Sequence, residues 1–424
     1  MGRRSPAQLF SLVTTPFGLD GNRRIVVQIG GPLCRSFALE RGLQAPDKGE
    51  PDIPLEEQDI DQALRPRPLD MSRVASPFGR VHLPVSMKLR SRSKENNVKV
   101  EFTRASGLTC GFVALLLAAT PAVADPSVAE FGVPTPISGP TLITLGSDGA
   151  LWFTEQAANK IGRVTTNGEF KEFAIPTPDS RPYGIGAGPD GNIWYLGFSS
   201  NKIGRITPSG EITEFDVPFP DSQPISIVQG PDNAMWFTGK NTGNVGRITL
   251  DGKISHFSVG ARAPYEIITG PDGNLWFTES ARDANSIVRM TTNGTVTRFS
   301  IPHSPSDTVG IKVGPDGALW FAEEVGNSIG RITVSGEITE YELPTPHSIP
   351  RRLTIGPDGA LWFTQAAGRI GRITMGGEIS EFKAPTEDCS PYGITTASDG
   401  SIWFAEQIAG KIGKLVVTGT RKSE

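Results

Sequence analysis

"RPYGIGAGPDGNIWY", residues 181–195, is one of seven versions of a motif in which an Asp-containing turn precedes a tryptophan. The chain has seven tryptophans, and successive ones lie 40 to 44 residues apart. They are Trp152, Trp194, Trp236, Trp276, Trp320, Trp362 and Trp403. A period of 40 to 45 residues built from short strands is typical of β-propellers. The spacing therefore predicts one blade for each tryptophan.

Each repeat divides into four predicted strands, A to D. In the second repeat they are YGIGAG (183–188), IWYL (193–196), KIGRIT (202–207) and EITEFDVP (211–218). Asp- and Gly-containing turns separate strand A from strand B and strand C from strand D. The sequence thus predicts an all-β fold, a seven-bladed propeller of four-stranded antiparallel blades.

The two ends of the repeat region complement each other. The seventh repeat lacks a D strand, whereas residues 127–134 read like a D strand that precedes the first repeat. We expect this N-terminal strand to complete the last blade and close the ring. The alternative is an open arc, whose exposed strand edges would promote aggregation.

Residues upstream of the repeats differ in composition. Residues 1–86 are rich in Pro and charge without a sustained period, which predicts a disordered or mis-annotated upstream extension. Residues 87–124 resemble a secretory signal peptide, with basic residues, an apolar run and a small-residue site ending at Ala124. An uncleaved membrane anchor is the alternative, but the run is short for a span. We expect cleavage near Ala124, export to the periplasm or medium, and no stable membrane span afterwards.

The propeller is expected to cover residues 125–418, followed by a short tail at 419–424.

The net charge of −4 with interspersed signs argues against a nucleic-acid partner. Cleavage would leave Cys389 as the one cysteine, so no internal disulfide is expected. We expect a monomer.

Two sets of positions begin or end strands on one face of the propeller, where the D-to-A and B-to-C loops lie. We call this face the mouth face. The residues that follow the loop proline, or match that place, are Thr141, Tyr183, Ile225, Tyr265, Val309, Arg351 and Tyr392. The residues at the end of strand B are Glu155, Gly197, Gly239, Glu279, Glu323, Gln365 and Glu406.

Tyrosines, an arginine and carboxylates on a concave face predict a binding site for a small molecule, peptide or glycan. The predicted ligand-binding residues are Tyr183, Tyr265, Arg351, Tyr392, Glu155, Glu279 and Glu323. The alternative is that these residues recur because the repeat needs them for packing.

Stretches such as GALWFTEQAANKIGRVTTNGEF (149–170) and PTPDSRPYGI (176–185) resemble the virginiamycin B lyase (streptogramin lyase) family. The resemblance extends over all seven repeats. It implies a propeller that opens cyclic streptogramin B antibiotics by eliminating the ester C–O bond. It further implies a histidine base, with Mg²⁺ and carboxylates stabilising the enolate-like charge.

The family's lyases place histidines after the loop proline of the sixth and seventh repeats. This sequence has Arg351 and Tyr392 there, and Ser390 where the family has an acidic residue. Glu406 is the counterpart of the family's last B-to-C carboxylate, and His347, in a mouth-face loop, is the candidate replacement base. Two other functions stay open, a non-catalytic binding propeller and a metal-dependent lactonase-like hydrolase.

Overall fold

The computed structural model describes residues 126–281, 285–303 and 305–417, together with the backbone of five short upstream strands. The chain divides into two units, Met1–Ala118 and Ala119–Glu424. The upstream strands are Phe10–Leu12, Ile25–Val27, Phe37–Leu39, Met87–Arg90 and Val98–Phe102. The first, fifth and fourth of them form one sheet, and the second pairs with the third. The predicted extension, signal segment and C-terminal tail otherwise lie outside the described residues.

The second unit is a seven-bladed propeller of four-stranded antiparallel sheets, as predicted. Strand A, the innermost of each blade, spans Pro140–Leu145, Pro182–Ala187, Pro224–Gln229, Pro264–Thr269, Thr308–Val313, Pro350–Ile355 and Pro391–Thr396. Strand B spans Leu151–Glu155, Ile193–Gly197, Met235–Gly239, Leu275–Glu279, Leu319–Glu323, Leu361–Gln365 and Ile402–Glu406. Strand C spans Lys160–Val164, Lys202–Ile206, Asn244–Ile248, Ser286–Met290, Ser328–Ile332, Arg369–Ile373 and Lys411–Val416. Strand D spans Phe170–Ala174, Ile212–Asp216, Ile254–Ser258, Val296–Ser300, Ile338–Glu342, Ile379–Lys383 and, in blade 7, Ser127–Gly132.

The described residues contain no helix that is long and apolar enough to cross a membrane.

The recurring tryptophan is fixed by hydrogen bonds at its indole nitrogen as well as by burial. In blade 5, Trp320 is fully buried and its indole Nε1 donates to Asp316 Oδ1 at 3.1 Å. The Nε of Arg331 on strand C donates to the other oxygen of Asp316 at 2.7 Å. A buried indole N–H without an acceptor would be costly, so the Asp-containing turn and the tryptophan recur together.

Aromatic stacking links strand B to strand D, the outer strand, in each blade. The tryptophan of strand B stacks on an aromatic ring of strand D, as Trp194 does on Phe215 with ring centroids 5.8 Å apart. In strand C, Gly204 leaves room for the ring of Tyr195, which a Cβ atom at that position would overlap. The repeated glycine and aromatic positions are therefore one packing unit.

The N-terminal strand closes the ring, which confirms the prediction. Ser127–Gly132 pairs antiparallel with strand C of blade 7, with Phe131 opposite Ile412. Phe131 stacks on Trp403 at 5.6 Å, the same contact that strand D makes in the other blades. Blade 7 thus combines residues from both ends of the described propeller.

Candidate functional site

The mouth face brings the start of strand A next to the end of strand B. In blade 2, Pro182 lies opposite Gly197, and the loops that flank them are joined by hydrogen bonds. The side chain of Asn201 donates to the carbonyl of Phe219 at 2.9 Å and accepts from the hydroxyl of Ser222 at 2.6 Å. The loops that frame the mouth are therefore fixed to the blades.

Three of the predicted ligand-binding residues meet on the axis of the propeller. The hydroxyls of Tyr183, Tyr265 and Tyr392 are mutually hydrogen-bonded, with Tyr265 2.6 Å from Tyr183 and 2.7 Å from Tyr392. Each side chain is buried, and Ile225 and Val309 pack in the same cluster. We call Tyr183, Tyr265 and Tyr392 the tyrosine cluster.

Two hydroxyls of the tyrosine cluster, those of Tyr183 and Tyr265, are held in the neutral form. Burial raises the pKa of Tyr183 and Tyr265 well above the usual value, and repulsion from ionised Tyr392 would add to it. These two hydroxyls therefore act as hydrogen-bond donors and acceptors near neutral pH.

Arg351 lies against the tyrosine cluster at the mouth. Its guanidinium carbon is 4.4 Å from the ring centroid of Tyr392, within the range of a cation–π contact. Its Nε lies 3.3 Å from Glu324 Oε1, and its Nη1 donates to the hydroxyl of Ser390 at 3.3 Å. Arg351 and Tyr392, which stand where the resemblance implies histidines, thus pack on each other.

Arg352, which was not among the predicted site residues, lies beneath Arg351 and packs against the tyrosine cluster. It is 3% exposed, and its Nη1 donates to Glu266 Oε2 at 3.1 Å and to the carbonyl of Val309 at 3.0 Å. Its guanidinium carbon lies 5.0 Å from the ring centroid of Tyr265. A charged residue in an otherwise apolar or glycine-containing inner strand was the available signal for both Arg352 and Glu266.

The glutamates at the ends of strand B make no described hydrogen bond to the tyrosine cluster. They are buried, and each lies next to a residue of strand D in its own blade. Two carboxyl groups face each other in three blades: Glu155 and Glu172, Glu323 and Glu340, and Glu406 and Glu130. Burial raises the pKa of Glu155, Glu323 and Glu406, and repulsion from the charged glutamate of strand D raises it further, to about 8.

Blades 4 and 6 have no such pair of facing carboxyl groups at the end of strand B. In blade 6, Gln365 donates to Glu381 Oε1 at 2.7 Å. In blade 4, Glu279 lies 3.5 Å from Arg298 and also accepts a hydrogen bond from Ser286. These positions therefore make polar contacts within their own blades.

The described histidines lie in loops or in an outer strand. His347, the candidate base, is exposed in a loop with φ of 55°, a left-handed conformation that Asp179 adopts in the matching loop of blade 2. His303 bonds through Nδ1 to Glu340 at 2.7 Å, and the ring of His256 lies 4.7 Å from that of Phe219. None of these three makes a described contact with the tyrosine cluster.

Exposed apolar side chains concentrate on the mouth face. Ile137 and Ile349 lie in D-to-A loops, and Val325 and Ile408 lie in B-to-C loops. Ile137 is 89% exposed and Ile408 is 73% exposed. These four residues, the apolar rim, belong to blades 5, 6, 7 and 1 or to the loops that lead into them.

Among residues 126–281, 285–303 and 305–417, no three His, Cys, Asp or Glu side chains are grouped so as to hold a metal ion. Glu406, the counterpart of a family carboxylate, is buried at the end of strand B of blade 7. The described residues thus offer no preformed cluster of three such ligands for Mg²⁺ at the mouth.

Comparisons with known proteins place this geometry in context. The model of the virginiamycin B lyase family matches residues 120–265 and 260–423. A virginiamycin B lyase of Bacillus licheniformis is 50% identical over 40 residues, which cover 9% of this chain and 14% of that protein.

Two solved structures are similar over nearly their whole length. The selenomethionine-substituted virginiamycin B lyase of Staphylococcus aureus is 41% identical, with a TM-score of 0.66, and the match covers 69% of this chain and 99% of that one. A catalytically inactive histidine-to-alanine variant of the S. aureus enzyme with quinupristin is 40% identical, with a TM-score of 0.65 and the same coverage.

Proposed function

The chain belongs to the virginiamycin B lyase family, and from that premise we propose that it is a binding propeller for cyclic peptides or depsipeptides. In this proposal the ligand sits on the mouth face and its ring stays closed. One observation carries it: Arg351 and Tyr392 stand at the family's histidine positions and are packed on each other.

The apolar rim supports a ligand with hydrophobic side chains. Exposed Ile and Val side chains on the mouth face offer apolar area next to a polar centre, the usual composition of a ligand site. Ile137 and Ile349 also have left-handed backbones, with φ of 55° and 57°. Such a conformation is strained for β-branched residues, and strain of this kind concentrates at functional sites.

Arg351 supports the choice of a peptide or depsipeptide. Its guanidinium is oriented by Glu324, Ser390 and the ring of Tyr392. A guanidinium held in one orientation donates well to ester and amide carbonyls. We propose that Arg351 donates to a ligand carbonyl at the mouth.

The same residues argue against elimination. Abstraction of a proton α to a carbonyl needs a base whose pKa lies near the working pH. A guanidinium stays protonated in proteins, and the neighbouring Tyr183 and Tyr265 hydroxyls have raised pKa values.

The test uses quinupristin, the compound named with the S. aureus variant. The full-length chain is titrated by calorimetry and incubated with quinupristin and Mg²⁺, and the mixture is separated by liquid chromatography with mass detection. We expect saturable binding and unchanged quinupristin. A linear product of unchanged mass would demonstrate elimination, and one heavier by a water would demonstrate hydrolysis. Either product, or an absence of binding, overturns the proposal.

Two variants refine the result. Arg351→Ala is expected to weaken binding about tenfold, because a lost hydrogen bond to a charged donor costs roughly 1.5 kcal/mol. Arg181→Ala is the matched control, since Arg181 is exposed in a mouth-face loop of blade 2. Equal affinities of the two variants would contradict a role for Arg351.

A further inference from the structure

A cavity of about 230 Å³ lies inside the ring, on the far side of the tyrosine cluster from the mouth. Its lining comes from the third to sixth residues of the inner strands, whereas the tyrosine cluster occupies the second. The hydrogen-bonded hydroxyls of Tyr183, Tyr265 and Tyr392 therefore separate this cavity from the mouth.

The cavity has an excess of positive charge. Its charged lining residues are Arg352, Lys312 and Glu266, two cations and one carboxylate, a net charge of +1. Glu266 already has hydrogen-bond partners within the protein. Its Oε2 accepts from the backbone N–H of Ile311 at 2.7 Å and from Arg352 at 3.1 Å.

Arg352 has unused hydrogen-bonding capacity. Its Nη1 donates to Glu266 and to the carbonyl of Val309, while its Nε and Nη2 have no hydrogen-bond partner in the described part of the chain. Burial lowers the pKa of Arg352, but the charge of Glu266 and the neighbouring tyrosine oxygens together raise it above the ordinary value, so the guanidinium stays protonated. Buried donors without acceptors are rare, and such a group calls for a bound ion or water.

We propose that the cavity is a second binding site, for a small aliphatic monocarboxylate held by Arg352. The Nε and Nη2 of a guanidinium form a planar fork that matches the two oxygens of a carboxylate. Lys312 supplies further positive charge. The uncharged lining includes Ile185, Ile227 and Ile267, whose aliphatic side chains suit a short hydrocarbon chain. Four polar residues also line the cavity: Thr144, Ser226, Gln229 and Thr395.

The test uses butyrate as the probe and the full-length chain. Melting temperature and the spectrum of [1-¹³C]butyrate are followed during titration at constant ionic strength, with sodium chloride as the competing salt. We expect a saturable rise in melting temperature with butyrate that chloride does not reproduce. Equal responses to butyrate and chloride overturn the proposal, because they indicate a general salt effect.

Variants locate the site. The double variant R352Q/E266Q removes both members of the ion pair, so neither charge is left buried alone. We expect it to lower butyrate affinity at least tenfold, and K312Q to lower it to a smaller extent. K383Q, an exposed lysine of the outer strand of blade 6, is the matched control. Wild-type affinity in both folded K312Q and R352Q/E266Q, or binding lost equally in K383Q, overturns the assignment.

The two proposals fail separately. Quinupristin binding reports on the mouth, and butyrate binding reports on the cavity beyond the tyrosine cluster. K312Q is expected to leave quinupristin affinity unchanged, and loss of quinupristin binding in K312Q would contradict a separate cavity site.

Discussion

The last residue of strand B shows how one position changes its chemistry with its neighbour. In blade 6 it is Gln365, an uncharged donor to Glu381. In blade 4 it is Glu279, with Arg298 nearby as a counter-charge. The oxygens of Glu323 in blade 5 are buried without a hydrogen-bond partner in the described residues. The blade 6 arrangement indicates that Glu323 is held there as a neutral acid, like glutamine in shape and charge.

This difference predicts a pH dependence of stability. The pKa of Glu155, Glu323 and Glu406 is about 8 in the fold, above the usual value of 4.5. Because the fold holds the proton more tightly than the unfolded chain, their contribution is complete below pH 4.5 and is lost as pH rises towards 8. We expect Glu323→Gln to be more stable than the wild type at pH 8, by on the order of 1 kcal/mol or more.

The measurement is urea unfolding at pH 5 and pH 8. The triple variant E155Q/E323Q/E406Q should lose most of the wild-type decline between these values. Glu337→Gln, in an exposed turn of blade 5, is the control and should keep the wild-type profile. An unchanged decline in the triple variant would show that these three acids are already ionised at pH 5.

At the scale of a single element, the D-to-A loops determine the shape of the mouth. Thr135 ties the first of them to strand D, since its N–H and hydroxyl donate to Glu172 at 2.9 and 2.7 Å. Lys160 donates to the same carboxylate at 2.9 Å. These bonds offset burial and lower the pKa of Glu172, so this loop is anchored by a charged group.

Ile137 in this loop gives a test of backbone strain. Its φ is 55°, and Asp179 and Asp221 hold the matching positions in the next two loops. Asparagine tolerates this conformation better than a β-branched residue does. We expect Ile137→Asn to raise the free energy of unfolding by about 1 kcal/mol, measured by urea titration. Ile408→Asn, equally apolar but without a positive φ, should leave it unchanged.

Both substitutions also remove apolar rim side chains. If the proposed function is correct, Ile137→Asn weakens quinupristin binding while it stabilises the fold. A variant that is more stable and binds with wild-type affinity would show that the strain at Ile137 serves no ligand.

At the scale of the whole molecule, closure by the N-terminal strand makes the ring one unit. Seven sheets share a continuous series of contacts between inner strands, and strand A of blade 7 packs against strand A of blade 1. The outer strand of blade 7, Ser127–Gly132, is the one element that comes from the other end of the propeller. Stability of the ring therefore depends on this strand as on any internal one.

Two matched substitutions test this closure. Phe131 stacks on Trp403 at 5.6 Å, and Phe382 stacks on Trp362 at 5.5 Å. We expect Phe131→Ala and Phe382→Ala to lower the free energy of unfolding by similar amounts, about 3 kcal/mol. Urea unfolding followed by tryptophan fluorescence measures both. A much smaller effect of Phe131→Ala would show that the terminal strand frays and that the ring is only loosely closed.

The strand pattern was predictable because it depends on local chemistry. Each predicted strand of the second repeat lies within two residues of the observed one at either end, and the missing strand of blade 7 was identified from its resemblance to the D strands. Turn residues, glycines and the buried tryptophan act within one blade, so each repeat carries that information itself.

Local sequence could not show which of the two neighbouring arginines, Arg351 or Arg352, would lie at the mouth and which beneath it. Every inner strand has an irregular register after its first residue, and in blade 6 it lies between Pro350 and Leu353. A bulge interrupts the alternation of side chains between the two faces of a strand. Position after the proline therefore indicates Arg351 as a site residue and gives no sign of Arg352 beneath it.

The sequence by itself determined the seven blades, their strand order and the closure of the ring, because a period of about 42 residues repeats one local packing solution. Only the tertiary structure decided which side chains meet. Tyr183, Tyr265 and Tyr392 come from blades 2, 4 and 7 and converge on the axis, while the strand B glutamates face strand D within their own blades. Convergence across blades depends on ring geometry and strand register, which no single repeat encodes.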